Sequence, residues 1–326
     1  MKKTSIQFEI WEECNNQCKF CFLGSGNRYS SDDVKLNSLT RVMNKISDES
    51  LYDTYNIVSY IGGDFFQGQL KNEQVHKLFM DIMDKTAYFV DIGKLIEVWI
   101  NATLTIGDQA DLYETLNKFK DKSKIWICTS YDTIGRYHTD KMFENWDYHM
   151  KNLKKIYPEI NINVSTIVTG DLIDKYLDDQ FSFLKFQDEY DCTMFLKTPG
   201  TPTPATFPQT IKNKKYFNEN ILNNFFPTRS KFLKFLAKYK QEVPEYIYDK
   251  LYNINYRADD LYKNTINNKN EYVHLHRVKN KKMADYKIDE DGNISGHAPE
   301  NVCGHSISYA PYVDSDQCFI CDKDLI

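Results

Sequence analysis

The chain has no apolar run of roughly 18 residues, no charged-then-apolar leader, no internal repeat and no named nucleic-acid motif. The first two absences argue against a membrane span and a secretory signal, so a cytoplasmic location is expected. A disulfide framework is also missing: of eight cysteines in 326 residues, six fall in two ligand-like groups, which suits a reducing compartment. The length allows one large domain plus an extension.

What is present is a tight group of thiols. Cys14, Cys18 and Cys21 follow the spacing C-x3-C-x2-C, which packing does not require. Thiolates this close can converge on one metal, and soft sulfur selects iron-sulfur clusters, zinc or copper(I). Three ligands leave one coordination position open for chemistry. A zinc site completed from afar, or three unrelated buried cysteines, are the competing readings.

The preceding segment Thr4–Trp11 alternates apolar with polar residues and reads as a strand, so the cysteines sit at its C-terminal end. That edge is where barrel-type α/β folds keep their chemistry. Further strands are predicted at Asn56–Ile61, Leu95–Thr103, Lys124–Asp132, Ile160–Gly170 and Cys192–Lys197. Helices are predicted between them, at Asp108–Lys120 and Asp140–Ile156 among others. This βα alternation argues for parallel strands. Gly62-Gly63-Asp64, at the end of the second strand, would let backbone approach a ligand and offer an anionic acceptor for an ammonium group. Asp132 or Thr133 reads alternatively as a helix cap, and Cys128 and Cys192 as core residues of their strands.

The proline-rich run Thr198–Pro208 cannot form regular helix or central strand and reads as a boundary loop or lid. Residues 211–287 hold 17 Lys and Arg against 8 Asp and Glu, although the whole chain carries −5. Such a basic stretch could steer a nucleotide or nucleic acid, or simply be a solvated helix face. Near the C-terminus, Tyr286–Ile294 reads as a hairpin with a tight Asp291-Gly292 turn, followed by Cys303, Cys318 and Cys321. His297, His305, Cys192 or the substrate itself could supply a fourth ligand there, and a zinc knuckle with one of the histidines is the alternative to a cluster.

Cys14-x3-Cys18-x-Phe20-Cys21 resembles the signature of the radical SAM superfamily. The resemblance implies a partial (β/α)6 barrel over residues 1–200 and a 4Fe-4S cluster on Cys14, Cys18 and Cys21. S-adenosylmethionine (SAM) would bind the open iron and be cleaved reductively to a 5'-deoxyadenosyl radical. It also implies Phe20 near the adenine, Gly62, Gly63 and Asp64 at the SAM amino group, and Ser130 at the ribose. Arg136 or Lys141 would meet the SAM carboxylate, and Thr166, Ile167 and Val168 would line the adenine pocket. An electron donor such as flavodoxin or ferredoxin is implied as well.

Residues 201–285 are expected as a basic, aromatic-rich helical insert or linker. Residues 286–326 resemble a shortened SPASM or twitch region, an α+β extension whose cysteines Cys303, Cys318 and Cys321 would bind a second 4Fe-4S cluster. The expected substrate is a peptide or protein side chain or a small molecule, with a nucleotide or nucleic-acid base second. With the barrel starting within about ten residues of the first, no leader-peptide domain is expected before it. From a different class, the chain could be a non-catalytic iron-sulfur sensor or a zinc-stabilised binding module.

Overall fold

A computed structural model describes residues 5–11, 13–16, 18, 30–197 and 229–242, with two short strands at 286–288 and 294–296. Phe20, Cys21, His297, Cys303, His305, Cys318 and Cys321 lie outside the described residues, as does the proline-rich run.

Six strands form one sheet: β1 (Ser5–Glu9), β2 (Ile57–Ile61), β3 (Glu97–Asn101), β4 (Ile125–Ser130), β5 (Asn161–Ile167) and β6 (Thr193–Lys197). They lie side by side in chain order, and every neighbouring pair is parallel. The connecting helices are α1 (Asp32–Ile46), α2 (Leu51–Thr54), α3 (Glu73–Asp91), α4 (Ala110–Asn117), α5 (Asp140–Ile156), α6 (Gly170–Leu177) and α7 (Phe183–Tyr190). Parallel crossovers are right-handed, so strands added always in one direction leave their helices on one face of the sheet.

The residue pattern follows that asymmetry. Ile6, Phe8, Val98, Ile100, Ile125, Ile127, Ile162 and Val164 are buried in one core with Leu39, Phe79, Met83, Leu116 and Trp146 of the helices. The alternate positions of the last three of these strands, from Trp99 and Asn101 to Cys128, Ser130, Asn163 and Ser165, are half-buried. Register aligns Asn101, Cys128 and Asn163 across neighbouring strands. Cys128 is therefore not a core residue: alternation puts it on the face opposite the apolar core. Cys192 precedes β6 and packs half-buried at the edge of that core.

Helix starts are written in the sequence as capping residues. Ser31, Asn72, Thr139, Thr169 and Ser182 each accept a backbone N–H of the helix they precede. Thr139, not Asp132 or Thr133, caps α5. The fifth strand stops at Ile167 rather than Gly170, because Thr169 caps α6 through Leu172 N and Gly170 becomes its first residue.

Within the basic segment, α8 (Arg229–Glu242) docks on α6. Phe235 and Tyr239 bury themselves with Leu172, Ile173, Tyr176 and Phe183. Two of its lysines are spent on this contact: Lys231 pairs with Asp174 and Lys238 with Asp179. The two short C-terminal strands pair antiparallel with Ile288 opposite Ile294. The expected Asp291-Gly292 turn lies outside the described residues. Among the described residues no helix is long and apolar enough to cross a membrane.

The helical layer contains an acid-sensitive group. His149 on α5, 3% exposed, donates from Nε2 to Ile106 O at 3.0 Å. Burial lowers its pKa below the ordinary 6.5. The unfolded chain therefore takes up this proton first, and His149 contributes stability that is present above pH ~6.5 and is lost as pH falls below it. Urea midpoints from pH 7.5 to 5 should fall less steeply for His149→Gln than for the wild type.

Candidate functional site

The pairing of β1 with β2 continues past both strands and ends at the first cysteine. Ile10 N donates to Ile61 O at 3.1 Å, Gly63 N to Trp11 O at 2.7 Å, and Asp64 N to Glu13 O at 2.9 Å. The Trp11 indole, buried edge-on against Phe65, donates to Asp64 O at 2.8 Å. From the helical side, Ser38 donates to Ile10 O, and Lys35, 3% exposed, pairs with Glu13 at 2.9 Å. The segment leading into Cys14 is thus held by β2 on one side and α1 on the other.

Cys14 is half-buried and its thiol donates to Gln67 Oε1 at 3.7 Å. Cys18 is buried, with Arg136 Nη1 3.5 Å from its sulfur. Burial pushes the Cys18 thiol up, and Arg136 pulls it partly back. Arg136 reaches this position from the loop after β4, donating from Nε to the buried Asp132 at 2.5 Å. Burial works against the guanidinium charge, but Cys18 and Asp132 outweigh it and hold it protonated. Asp132 in turn accepts Ile167 N at 2.8 Å, tying the end of β5 to the same loop. His138 Nε2 donates to Asn16 O at 2.7 Å, a second link from the β4 loop to the cysteine loop.

The structure thus brings together Cys14, Cys18, Gly62, Gly63, Asp64 and Arg136 at the C-terminal edge of the sheet. The glycine at 62 has a reason the sequence did not suggest. Its φ is +132°, and an added Cβ would lie 2.1 Å from Trp11 O. It is the chain's own backbone that demands glycine there.

Asp64 is fully buried, with Oδ1 accepting Phe66 N at 2.8 Å and Oδ2 accepting Thr103 N at 3.0 Å. Its carboxylate is directed into the protein. Ser130, the last residue of β4, is half-buried beside Ser165.

Lys141 does not join the group: it is 74% exposed on α5 and pairs with Glu144 at 3.5 Å. Thr166 is buried and donates to Tyr131 O, while Val168 is buried against α6 and α8. Of the three candidates at the end of β5, only Ile167 keeps the half-exposed face. Gln67, Asn16 and Lys35 were missed by sequence reasoning, and no local pattern signals them. Elsewhere, His76 lies 3.5 and 3.4 Å from Asp111 and Glu114 between α3 and α4, a partly exposed cluster of one imidazole and two carboxyl groups.

No family model and no curated protein matches the chain. Among solved structures it is similar to endo-glycoceramidase II from Rhodococcus sp. in its lactosyl-enzyme intermediate, at 10% identity and a TM-score of 0.31. That likeness covers 62% of this chain and 56% of the other, so the chain spans just over half the length of that protein.

Proposed function

We propose that the chain is a radical SAM enzyme whose 4Fe-4S cluster is held by Cys14, Cys18 and Cys21. One observation supports the reading: Cys14, Cys18, a glycine-rich strand end and a buried arginine lie at one edge of a sequentially ordered parallel sheet. The donor set fits such a group. Soft sulfur ligands suit iron, and Arg136 beside Cys18 supplies a cation for an anionic thiolate centre. The sheet grows in one direction with no reversal, which is the strand order of a (β/α)6 partial barrel.

The chemistry the bound cluster and SAM would supply is reductive cleavage to a 5'-deoxyadenosyl radical and abstraction of a substrate hydrogen. The protein's own work is positional. The β1–β2 ladder and the Lys35–Glu13 pair fix the first cysteine, Arg136 places charge at the second, and a substrate would meet the half-buried face of the sheet opposite the apolar core.

A peptide or protein side chain is the first substrate reading, with an external electron donor. A nucleic-acid substrate is the second reading; of the basic segment, Lys231 and Lys238 on α8 pair with Asp174 and Asp179. The C-terminal cysteines Cys303, Cys318 and Cys321 would hold an auxiliary cluster or zinc.

The test is anaerobic reconstitution of wild type and a Cys14, Cys18, Cys21 triple alanine variant, with iron, sulfide and zinc counts, then dithionite, SAM and assay of 5'-deoxyadenosine. Wild type should release 5'-deoxyadenosine and the variant none, and iron left in the variant measures the C-terminal site. Wild type that carries only zinc, or a cluster that never cleaves SAM, would overturn the proposal in favour of a sensor or binding module.

A further inference from the structure

Between the cysteine loop and the ends of β2 and β3 lies a buried polar network centred on Gln67, which is 7% exposed. Its Oε1 accepts Asn15 N at 2.7 Å and faces the Cys14 thiol, and its main-chain O accepts Asn15 Nδ2 at 3.1 Å. Its Nε2 lies 2.6 Å from Asn16 Oδ1, 2.9 Å from Thr103 Oγ1 and 3.0 Å from Thr105 Oγ1. Nε2 has two hydrogens for these three oxygens: Thr103 and Thr105, whose own protons go to Asp64 and Asn16, take them, and Asn16 Oδ1 is supplied by Thr105. A single connected path therefore runs from Asp64 through Thr103 and Gln67 to Asn15 and Cys14. The far end of that path is closed: Asp64 is fully buried, and both of its oxygens are occupied by Phe66 and Thr103.

We propose that Gln67 is the positioning residue for Cys14, and that Asp64 acts on the site through Thr103 and Gln67 rather than by touching the SAM ammonium group. What Cys14 holds rests on the cluster reading above; the positioning itself does not. The proposal departs from the role that resemblance gives to the acidic residue after the paired glycines. It follows from geometry: to reach a ligand, Asp64 would have to abandon Thr103, and with it the anchor of Gln67. Buried polar networks rigidify what they join; in this one only Asn16 Nδ2 and the neighbouring Gln69 Nε2 lack a partner, and breaking it at Gln67 would leave further buried polar groups unpaired.

The first readout is hydrogen exchange of the metal-free, full-length chain. Gln67→Ala should speed exchange of the Asn15 amide about tenfold, the scale of one lost hydrogen bond. Gln67→Glu keeps the acceptor for Asn15 N but loses the Nε2 donor that faces Asn16, Thr103 and Thr105, so it should restore only part of that protection. The second readout uses the reconstituted protein. Gln67→Ala should shift the electron paramagnetic resonance spectrum of the reduced cluster. Asp64→Asn should alter SAM affinity, followed by equilibrium dialysis, no more than Gln67→Ala does, while also speeding Asn15 exchange.

Wild-type Asn15 exchange in Gln67→Ala would overturn the positioning role. A loss of SAM affinity in Asp64→Asn tenfold beyond that of Gln67→Ala, with Asn15 exchange unchanged, would instead make Asp64 a direct ligand. Failure of the wild type to load any cluster, with Asn15 exchange still responding to Gln67, would sink the cluster reading and leave the positioning intact.

Discussion

Replacing Gly62 by alanine should unfold the candidate site, costing roughly 2–5 kcal/mol. Two separate penalties add: a left-handed backbone conformation that strains an L-residue by about 1–2 kcal/mol, and a forced displacement costing about 1–3 kcal/mol. The displacement cannot be absorbed by a side chain. The atom in the way is Trp11 O, 2.1 Å from the new Cβ, and that same carbonyl accepts Gly63 N at 2.7 Å. Moving Trp11 aside breaks this hydrogen bond and shifts the segment that leads through Glu13 into Cys14. The urea midpoint should fall markedly, and reconstitution at Cys14, Cys18 and Cys21 should fail even under conditions where the variant stays folded. A Gly62→Ala protein with a wild-type midpoint and full iron content would show that the close approach at Trp11 is not part of the folded protein. Gly93 is a useful control, because its φ is +75° but no atom lies within 4 Å of an added Cβ, so Gly93→Ala should show the backbone penalty alone.

The strands were legible because alternation and βα order are local signals, and each lies within a few residues of where the pattern puts it. Helix α5 matches its expected bounds, since Thr139 and the apolar periodicity agree. Helix α4 is shorter than the pattern suggested. Asp108 turns its side chain to Ala110 N, closing a local turn before the helix can start.

The candidate site was legible only in part. Cysteine spacing and paired glycines are short-range motifs and could be read directly. Gln67 could not, because its partners Asn15, Asn16, Thr103 and Thr105 lie 36 to 52 residues away along the chain, and only the sheet brings them together. Asp64 was read for its chemistry, yet its depth decides what it can touch, and depth is a property of the packed sheet. The basic segment shows the same limit: its charge excess was countable, but its pairing with Asp174 and Asp179 depends on α8 lying against α6.

Arg136→Met should destabilise the chain by about 3–5 kcal/mol, the cost of leaving one member of a buried ion pair without its partner. The stranded charge would be Asp132, whose side chain is fully buried and whose Nε contact at 2.5 Å would disappear. Asp132 also carries Ile167 N, so the end of β5 should loosen with it. If the pair is the cause, Asp132→Asn combined with Arg136→Met should cost less than the sum of the two single changes, a coupling that urea denaturation of all four proteins measures.

Arg136→Lys separates stability from the thiol site. A lysine keeps the charge near Asp132, but a single ammonium cannot hold the fork that spans Asp132 and Cys18 at once. Stability should recover in large part while, if Cys18 holds the proposed cluster, iron loading stays below that of the wild type. Equal recovery of both would mean that charge alone matters at this position. Recovery of neither would mean that the shape of the guanidinium, lodged between the β4 loop and the cysteine loop, is what holds that edge of the sheet together.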